Sequence, residues 1–163
     1  MKKSLVIIFI ILTIMLVLGC VTTTEAAPFI DIVDVPGKSA SELYIEINKW
    51  AVEVFQKANS VIEFSDKESA TVSGKYSTSL FLGLLPVDVI STIVIEAKDE
   101  KYRIAISNPY YRDPQYPATL IKLTRAASID KLREKWENVS VSLKDYIFTG
   151  REDWWVLFSL CFA

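Results

Sequence analysis

The chain has 163 residues, of which 51% are hydrophobic and 12% aromatic, and its 18 basic and 20 acidic side chains give a formal net charge of −2. That balance argues against a nucleic-acid binder, which ordinarily presents a basic face. With no histidine and two cysteines, Ser-His and Cys-His nucleophile pairs, histidine-based zinc sites and a disulfide framework are excluded.

The chain opens with two positive charges, Lys2 and Lys3, and then an apolar run from Ser4 to Leu18 in which only Ser4 and Thr13 are polar. That is the length of a signal-peptide core and short of the roughly 20 residues that span a bilayer. The small residue Gly19 and then Cys20 follow directly. Val17-Leu18-Gly19-Cys20 resembles the lipobox of bacterial lipoproteins. The resemblance implies removal of residues 1–19 as a signal peptide, cleavage between Gly19 and Cys20, and acylation of Cys20 by palmitate-type chains. A single acyl chain holds only marginally, at about 0.8 kcal/mol per buried methylene, whereas two or more hold stably. The protein would then be an extracytoplasmic, cell-envelope protein whose first partner is the membrane, reached through lipid. Val21, rather than an aspartate, follows the cysteine, which favours the outer over the inner membrane. Processing leaves 16 basic residues (18 less two lysines) against 20 acidic ones, a net charge of −4.

Residues 20–28 are small and polar and read as a mobile tether. Phe29 to Val35 is rich in β-branched residues and reads as a first strand, ended by Pro36-Gly37. Ser39 to Ala58 is the clearest helix. Ser39 and Glu42 form a capping box. Leu43, Ile47, Trp50, Val54 and Ala58 recur at helical spacing, widened by Tyr44, Ala51 and Phe55.

Val61-Ile62-Glu63-Phe64 reads as a short strand, with Ser65 to Glu68 as its turn. In Thr71 to Leu82 every second residue from Val72 is set for burial, while Ser73, Lys75, Ser77 and Ser79 face away. Gly83 and Pro86 bracket a turn. Val87 to Ala97 and Lys101 to Ser107 complete three consecutive strands on short turns, for which antiparallel pairing is the economical arrangement. Asn108 to Pro117 reads as a loop, because Pro109, Pro114 and Pro117 lack the amide that a ladder needs. Ala118 to Ala127 fits neither period. Ser128 is the expected cap of a second helix to about Tyr146, with Ile129, Leu132, Trp136, Val139, Leu143 and Tyr146 as its stripe. A tail, residues 150–163, ends in ten nearly apolar residues, too few to span a bilayer, and is read as a last strand or a segment packed on the core, with an interfacial anchor through Trp154 and Trp155 as the alternative.

The expected architecture is α+β, an antiparallel sheet with two helices on one face in the order β-α-β4-α, spanning residues 29–149. The TATA-binding-protein-like and helix-grip folds share this order. Ser41-Glu42-Leu43-Tyr44, Trp50, Phe55, Val61-Ile62, Asp66, Val72-Ser73-Gly74-Lys75 and Lys101-Tyr102-Arg103 resemble a family of uncharacterised domains with a TATA-binding-protein-like fold. That family is frequent in secreted proteins and lipoproteins of Bacteroidota. The resemblance implies a fold and transfers no catalytic residue. A DNA-binding reading of the fold name fails on charge and address, since a minor-groove binder needs cations and apolar wedges on its sheet.

No spacing stands out as catalytic, metal-binding or cofactor-binding. Gly74 lacks the companion glycines of a phosphate loop and reads as a bulge or close-packing point. Glu63, Asp66 and Glu68 do not have the spacing of a calcium loop. Lys75, Arg103 and Arg112 are candidates for an anion site and, by default, solvated charges of a sheet face. The best recognition candidate is the loop bearing Tyr110, Tyr111, Arg112 and Tyr116, because tyrosine offers contact area at low entropic cost. The function expected is a non-catalytic interaction module whose partner is an envelope protein or glycan. The alternative is a carrier of a small apolar ligand between sheet and helices.

Overall fold

A computed structural model of the chain describes residues 25–57, 61–82, 85–113, 116 and 119–150. The expected signal peptide, Gly19, Cys20, the helix end at Ala58, the turn residue Gly83 and residues 151–163 of the tail lie outside the described residues.

The elements are β1 (Phe29–Asp34), α1 (Ala40–Lys57), β2 (Val61–Asp66), β3 (Thr71–Leu82), β4 (Leu85–Lys98), β5 (Lys101–Arg112), β6 (Leu120–Lys122) and α2 (Ala126–Thr149). The strands form one antiparallel sheet in the order β1-β5-β4-β3-β2, and β6 pairs with β5. β1 takes residues 101–106 of β5 and β6 takes residues 110–112, so the two share one edge in succession.

Alternation divides the sheet into two unlike faces. Val72, Tyr76, Thr78 and Leu80 of β3, Val87, Val89, Ser91, Ile93, Ile95 and Ala97 of β4, and Tyr102, Ile104 and Ile106 of β5 are all buried. Against them lie Leu43, Ile47, Trp50, Ala51, Val54 and Phe55 of α1 and Ile129, Leu132, Trp136, Val139, Leu143 and Ile147 of α2. Both helices therefore cover the same face, as the two periodicities require. Burying each of the larger apolar side chains contributes about 1.5–3 kcal/mol.

α1 starts where the capping box places it. The Glu42 amide donates to Ser39 Oγ at 3.3 Å, and the Ser39 amide donates to Glu42 Oε2 at 2.8 Å. α2 starts differently from expectation. Its N-cap is Arg125, which makes no side-chain cap hydrogen bond, and Ser128 is buried inside the first turn. The amides of Ser128 and Ile129 both donate to the Arg125 carbonyl at 3.0 Å. The helix also runs past Tyr146 to Thr149, ending on Gly150, whose φ of 60° is the left-handed conformation that lets its amide close on the Tyr146 carbonyl at 3.1 Å.

Three further boundaries move. β2 continues to Asp66, so Ser65 is strand and not turn. Pro86 lies inside β4, beyond Val89↔Tyr111 at the end of the β4–β5 pairing, where one side of the strand has no neighbour to disappoint. β5 runs through Pro109 to Arg112, so residues 108–112 are strand and not loop. A bulge absorbs the proline: the register shifts between Ile90 and Thr92, and Asn108 takes a φ of 52°. The freed Pro109 carbonyl accepts the Leu123 amide at 2.9 Å. The ambiguous stretch after it supplies the short β6.

Candidate functional site

The four residues of the expected recognition loop do not gather into one patch. Tyr110 and Tyr111 are successive strand residues and point to opposite faces. Tyr110 pairs with Ile90 and Lys122, on the face away from the helices. Tyr111 pairs with Val89 and Ile121 and is half-buried against the core. Arg112 is exposed and pairs with Leu120. Tyr116 is exposed in the 113–119 connection. Its amide donates to Asp113 Oδ1 at 3.3 Å, and its carbonyl accepts the Thr119 amide at 2.8 Å.

The three candidate cations are also separate. Lys75 donates to Thr92 Oγ1 at 3.1 Å and lies 3.7 Å from Glu63. Arg103 donates to Glu96 at 3.0 Å. Each has its own carboxylate on the sheet, and Arg112 stands at the far end of β5. Asp66 serves its turn, accepting the amides of Glu68 at 3.1 Å and Ser69 at 3.2 Å. The Ser69 side chain first, then those two amides, hold its carboxyl below the usual aspartate range. Among the described residues no group of three or more acidic, histidine or cysteine side chains is arranged to hold a metal ion.

Gly74 is a close-packing point. A Cβ there would overlap the Val61 carbonyl oxygen of β2 and sit 3.1 Å from Phe55 Cε2 of α1. The neighbouring strand carries the irregularity, a register shift between Ile62 and Phe64.

The interior contains a polar tier that hydrophobic periodicity does not reveal. Trp50 of α1 donates its indole N–H to Ser142 of α2 at 3.1 Å, and Trp136 of α2 donates to Ser91 of β4 at 3.3 Å. Ser140 of α2 donates to Asp31 of β1 at 2.6 Å. The Tyr76, Thr78 and Tyr102 hydroxyls are buried without a partner of good hydrogen-bond geometry. Burial raises the Tyr76 phenol well above its ordinary pKa, which the adjacent Thr78 hydroxyl only eases. Burial first, then the charges of Asp31 and Asp145, do the same to Tyr102. The three bonds join the helices to each other and to the sheet.

The face of the sheet turned away from the helices carries exposed side chains along both its edges. One row across it reads Ile30, Ala105, Val94, Ser73 and Phe64; the next reads Ile32, Arg103, Glu96, Thr71 and Asp66. Ile30 and Ile32 stand exposed along one edge, and Val61 and Phe64 along the other. Between them the floor is mostly small residues, with the Arg103–Glu96 and Lys75–Glu63 pairs laid flat across it. At the sheet's β6 edge, Glu25 is ion-paired with Lys122, Ala26 packs on the core, and the Ala27 carbonyl accepts from Arg133 at 3.5 Å. Glu25–Pro28, expected to be mobile, is thus tied to the domain.

A five-stranded antiparallel sheet with a sixth short strand, and two helices on one face, defines a two-layer α+β protein of the TATA-binding-protein-like kind. Residues 29–112 match a domain of unknown function (DUF4468) with TBP-like fold, and the chain belongs to that family. Two crystal structures share the fold. A TBP-like protein from Parabacteroides distasonis superposes with a TM-score of 0.61 at 18% identity, over 79% of this chain and 97% of that one. A DUF4468 family protein from Bacteroides ovatus superposes with a TM-score of 0.59 at 17% identity, over 83% of this chain and 94% of that one. No curated protein is significantly similar to the chain.

Proposed function

We infer that this protein is a lipid-anchored component of the cell envelope whose domain works by contact rather than by turnover. Its anchor is Cys20, acylated after cleavage at Gly19–Cys20, and its address is the outer membrane. The observation that carries the contact reading is the division of labour in the sheet. One face is spent on the two helices, and the other is left to solvent with Ile30, Ile32, Val61 and Phe64 exposed along its edges. Such a surface, apolar at its margins and polar at its centre, suits a protein or glycan partner laid across the strands. The space between sheet and helices, where a small apolar ligand would be carried, is filled by Trp50, Trp136, Tyr76 and Tyr102, each no more than 1% exposed, which supports contact over carriage.

Two measurements test this reading. Metabolic labelling with palmitate and mass spectrometry of the mature protein should find an acylated Cys20 as the first residue; an intact leader overturns the anchor. Cross-linking in the native envelope should then capture a specific partner with the wild-type protein and lose it with Ile32→Asp and Phe64→Asp. Equal capture by both proteins overturns the sheet face as the contact surface.

A further inference from the structure

We propose that the end of the domain nearest the tether is a membrane-docking surface, and that the boundary between lipid headgroups and acyl chains receives Phe81, Leu85, Tyr116 and Leu120. The proposal rests on acylation at Cys20 and adds to it a second, noncovalent hold with a defined orientation.

The register brings these residues to one end. Phe81 pairs with Pro86 and Leu82 with Leu85 at the tip of the β3–β4 hairpin. Val89 pairs with Tyr111, and Arg112 with Leu120, so the hairpin projects past the end of β5 and β6. From β3 to β6 is three strand spacings, roughly 14 Å. Across that width Phe81 is 65% exposed, Leu85 62%, Tyr116 66% and Leu120 55%. They come from two separate connections of the chain, the β3–β4 hairpin and the stretch from β5 into β6, and none is used by the core.

The tether selects the same end. Glu25 is bound to Lys122, two residues from Leu120 on β6. From Cys20 to Glu25 is a span of five residues, no more than about 18 Å even fully extended. An acyl chain at Cys20 therefore holds this end of the domain against the bilayer, and the opposite end, with the Lys67–Ala70 turn, away from it. Four half-exposed side chains do not retain a protein on a membrane by themselves. Held within reach by lipid, they insert at a high effective concentration. Tyrosine, phenylalanine and leucine are side chains suited to that depth. Exposed Arg112 and Arg125 stand at the same end, but so do Asp88 and Asp113. Insertion is consequently driven by apolar contact and needs no anionic lipid.

Hydroxyl-radical footprinting of the acylated protein, purified from its envelope and reconstituted in vesicles, tests this. The vesicles are phosphatidylcholine alone or phosphatidylcholine with phosphatidylglycerol. After correction for intrinsic reactivity, Phe81, Tyr116 and Leu120 should oxidise several-fold less than Phe64 and Phe148 in the same sample, in both lipids. In the variant Phe81→Ser/Leu120→Ser, Tyr116 should regain its oxidation several-fold. Mass spectrometry of that preparation separates the two ideas. An unmodified Cys20 overturns both the anchor and the docking. An acylated Cys20 with Phe81, Tyr116 and Leu120 fully oxidised overturns the docking alone. Protection that appears only with phosphatidylglycerol, that grows with protein concentration, or that falls on Phe64 also overturns it, in favour of headgroup charge, a second copy or a sheet-face contact.

Discussion

Trp50 and Ser142 lie 92 positions apart, and the bond between them, indole N–H to hydroxyl at 3.1 Å, joins the two helices inside the core. Trp50 is fully buried, so its indole N–H depends on this partner. Ser142→Ala leaves a buried donor unpaired, which costs about 1–3 kcal/mol. Urea unfolding should show that loss as a lower midpoint with an unchanged slope. Trp50→Phe removes the donor together with some packing. The double variant should therefore lose less than the two single losses added together. Strict additivity would mean that the bond contributes nothing.

Gly74→Ala should destabilise although alanine suits strands better than glycine. The added Cβ meets the Val61 carbonyl oxygen, which is backbone and cannot swing aside, and the Phe55 ring and Ile62 Cα at 3.1 and 3.2 Å. Overpacking of this kind costs about 1–3 kcal/mol. Because β2 is an edge strand, it can yield without loss of the rest of the sheet. Hydrogen exchange should accelerate in Val61–Asp66 more than in β4 or β5. Uniform acceleration would show that β2 unfolds only with the whole domain.

The parts of the fold readable in sequence are those in which local and global preferences agree. The Ser39–Glu42 box is a local device, and it starts α1 as read. The alternation Val72, Gly74, Tyr76, Thr78, Leu80 needs only a half-buried strand, and that is what β3 is. Expectation failed where tertiary pairing overrode a local rule. Pro109 should end a strand, but a bulge at Asn108 carries β5 past it and turns the Pro109 carbonyl to Leu123. Ser128 should cap a helix, but β6 and Leu123 deliver the chain so that Arg125 takes that position without a side-chain bond. The tyrosines looked like one loop because they cluster in sequence; once 108–112 is strand, alternation must part Tyr110 from Tyr111. Ser91, Ser140 and Ser142 gave no signal, since a serine facing a buried indole or carboxylate is indistinguishable in sequence from one facing water. Leu85 and Leu120 were likewise hidden among the apolar positions of the hairpin and of the ambiguous segment.

The capping box ties stability to acid. Glu42 is held below its ordinary value of 4.5 by the Ser39 amide first and the Ser39 hydroxyl second. A depressed carboxylate stabilises fully above its unfolded pKa and loses that contribution as pH falls through the folded one. Ser39→Ala should cost about 1 kcal/mol near neutral pH. The gap between the two proteins should narrow as pH drops below about 4.5, once Glu42 is protonated in both. Chemical unfolding at a series of pH values reads it directly. A gap that stays constant into acid would mean that the hydroxyl acts without the carboxylate.

At the other end of the pH scale the buried phenols decide. Tyr76 and Tyr102 both have their ionisation pushed upward, chiefly by burial. In the unfolded chain a tyrosine releases its proton near pH 10, so above that value the unfolded state binds fewer protons than the native one. Stability must then fall as pH rises past about 10. The phenolate absorbance of Tyr76 and Tyr102 should appear only together with loss of far-ultraviolet circular dichroism. Tyr76→Phe removes a hydroxyl that has no well-formed bond, so at neutral pH it should be close to neutral in stability or slightly stabilising. Its alkaline limb should be shallower than that of the wild type. Tyr102→Phe should flatten that limb too. If either phenol titrates while the protein remains folded, the core at that position admits water.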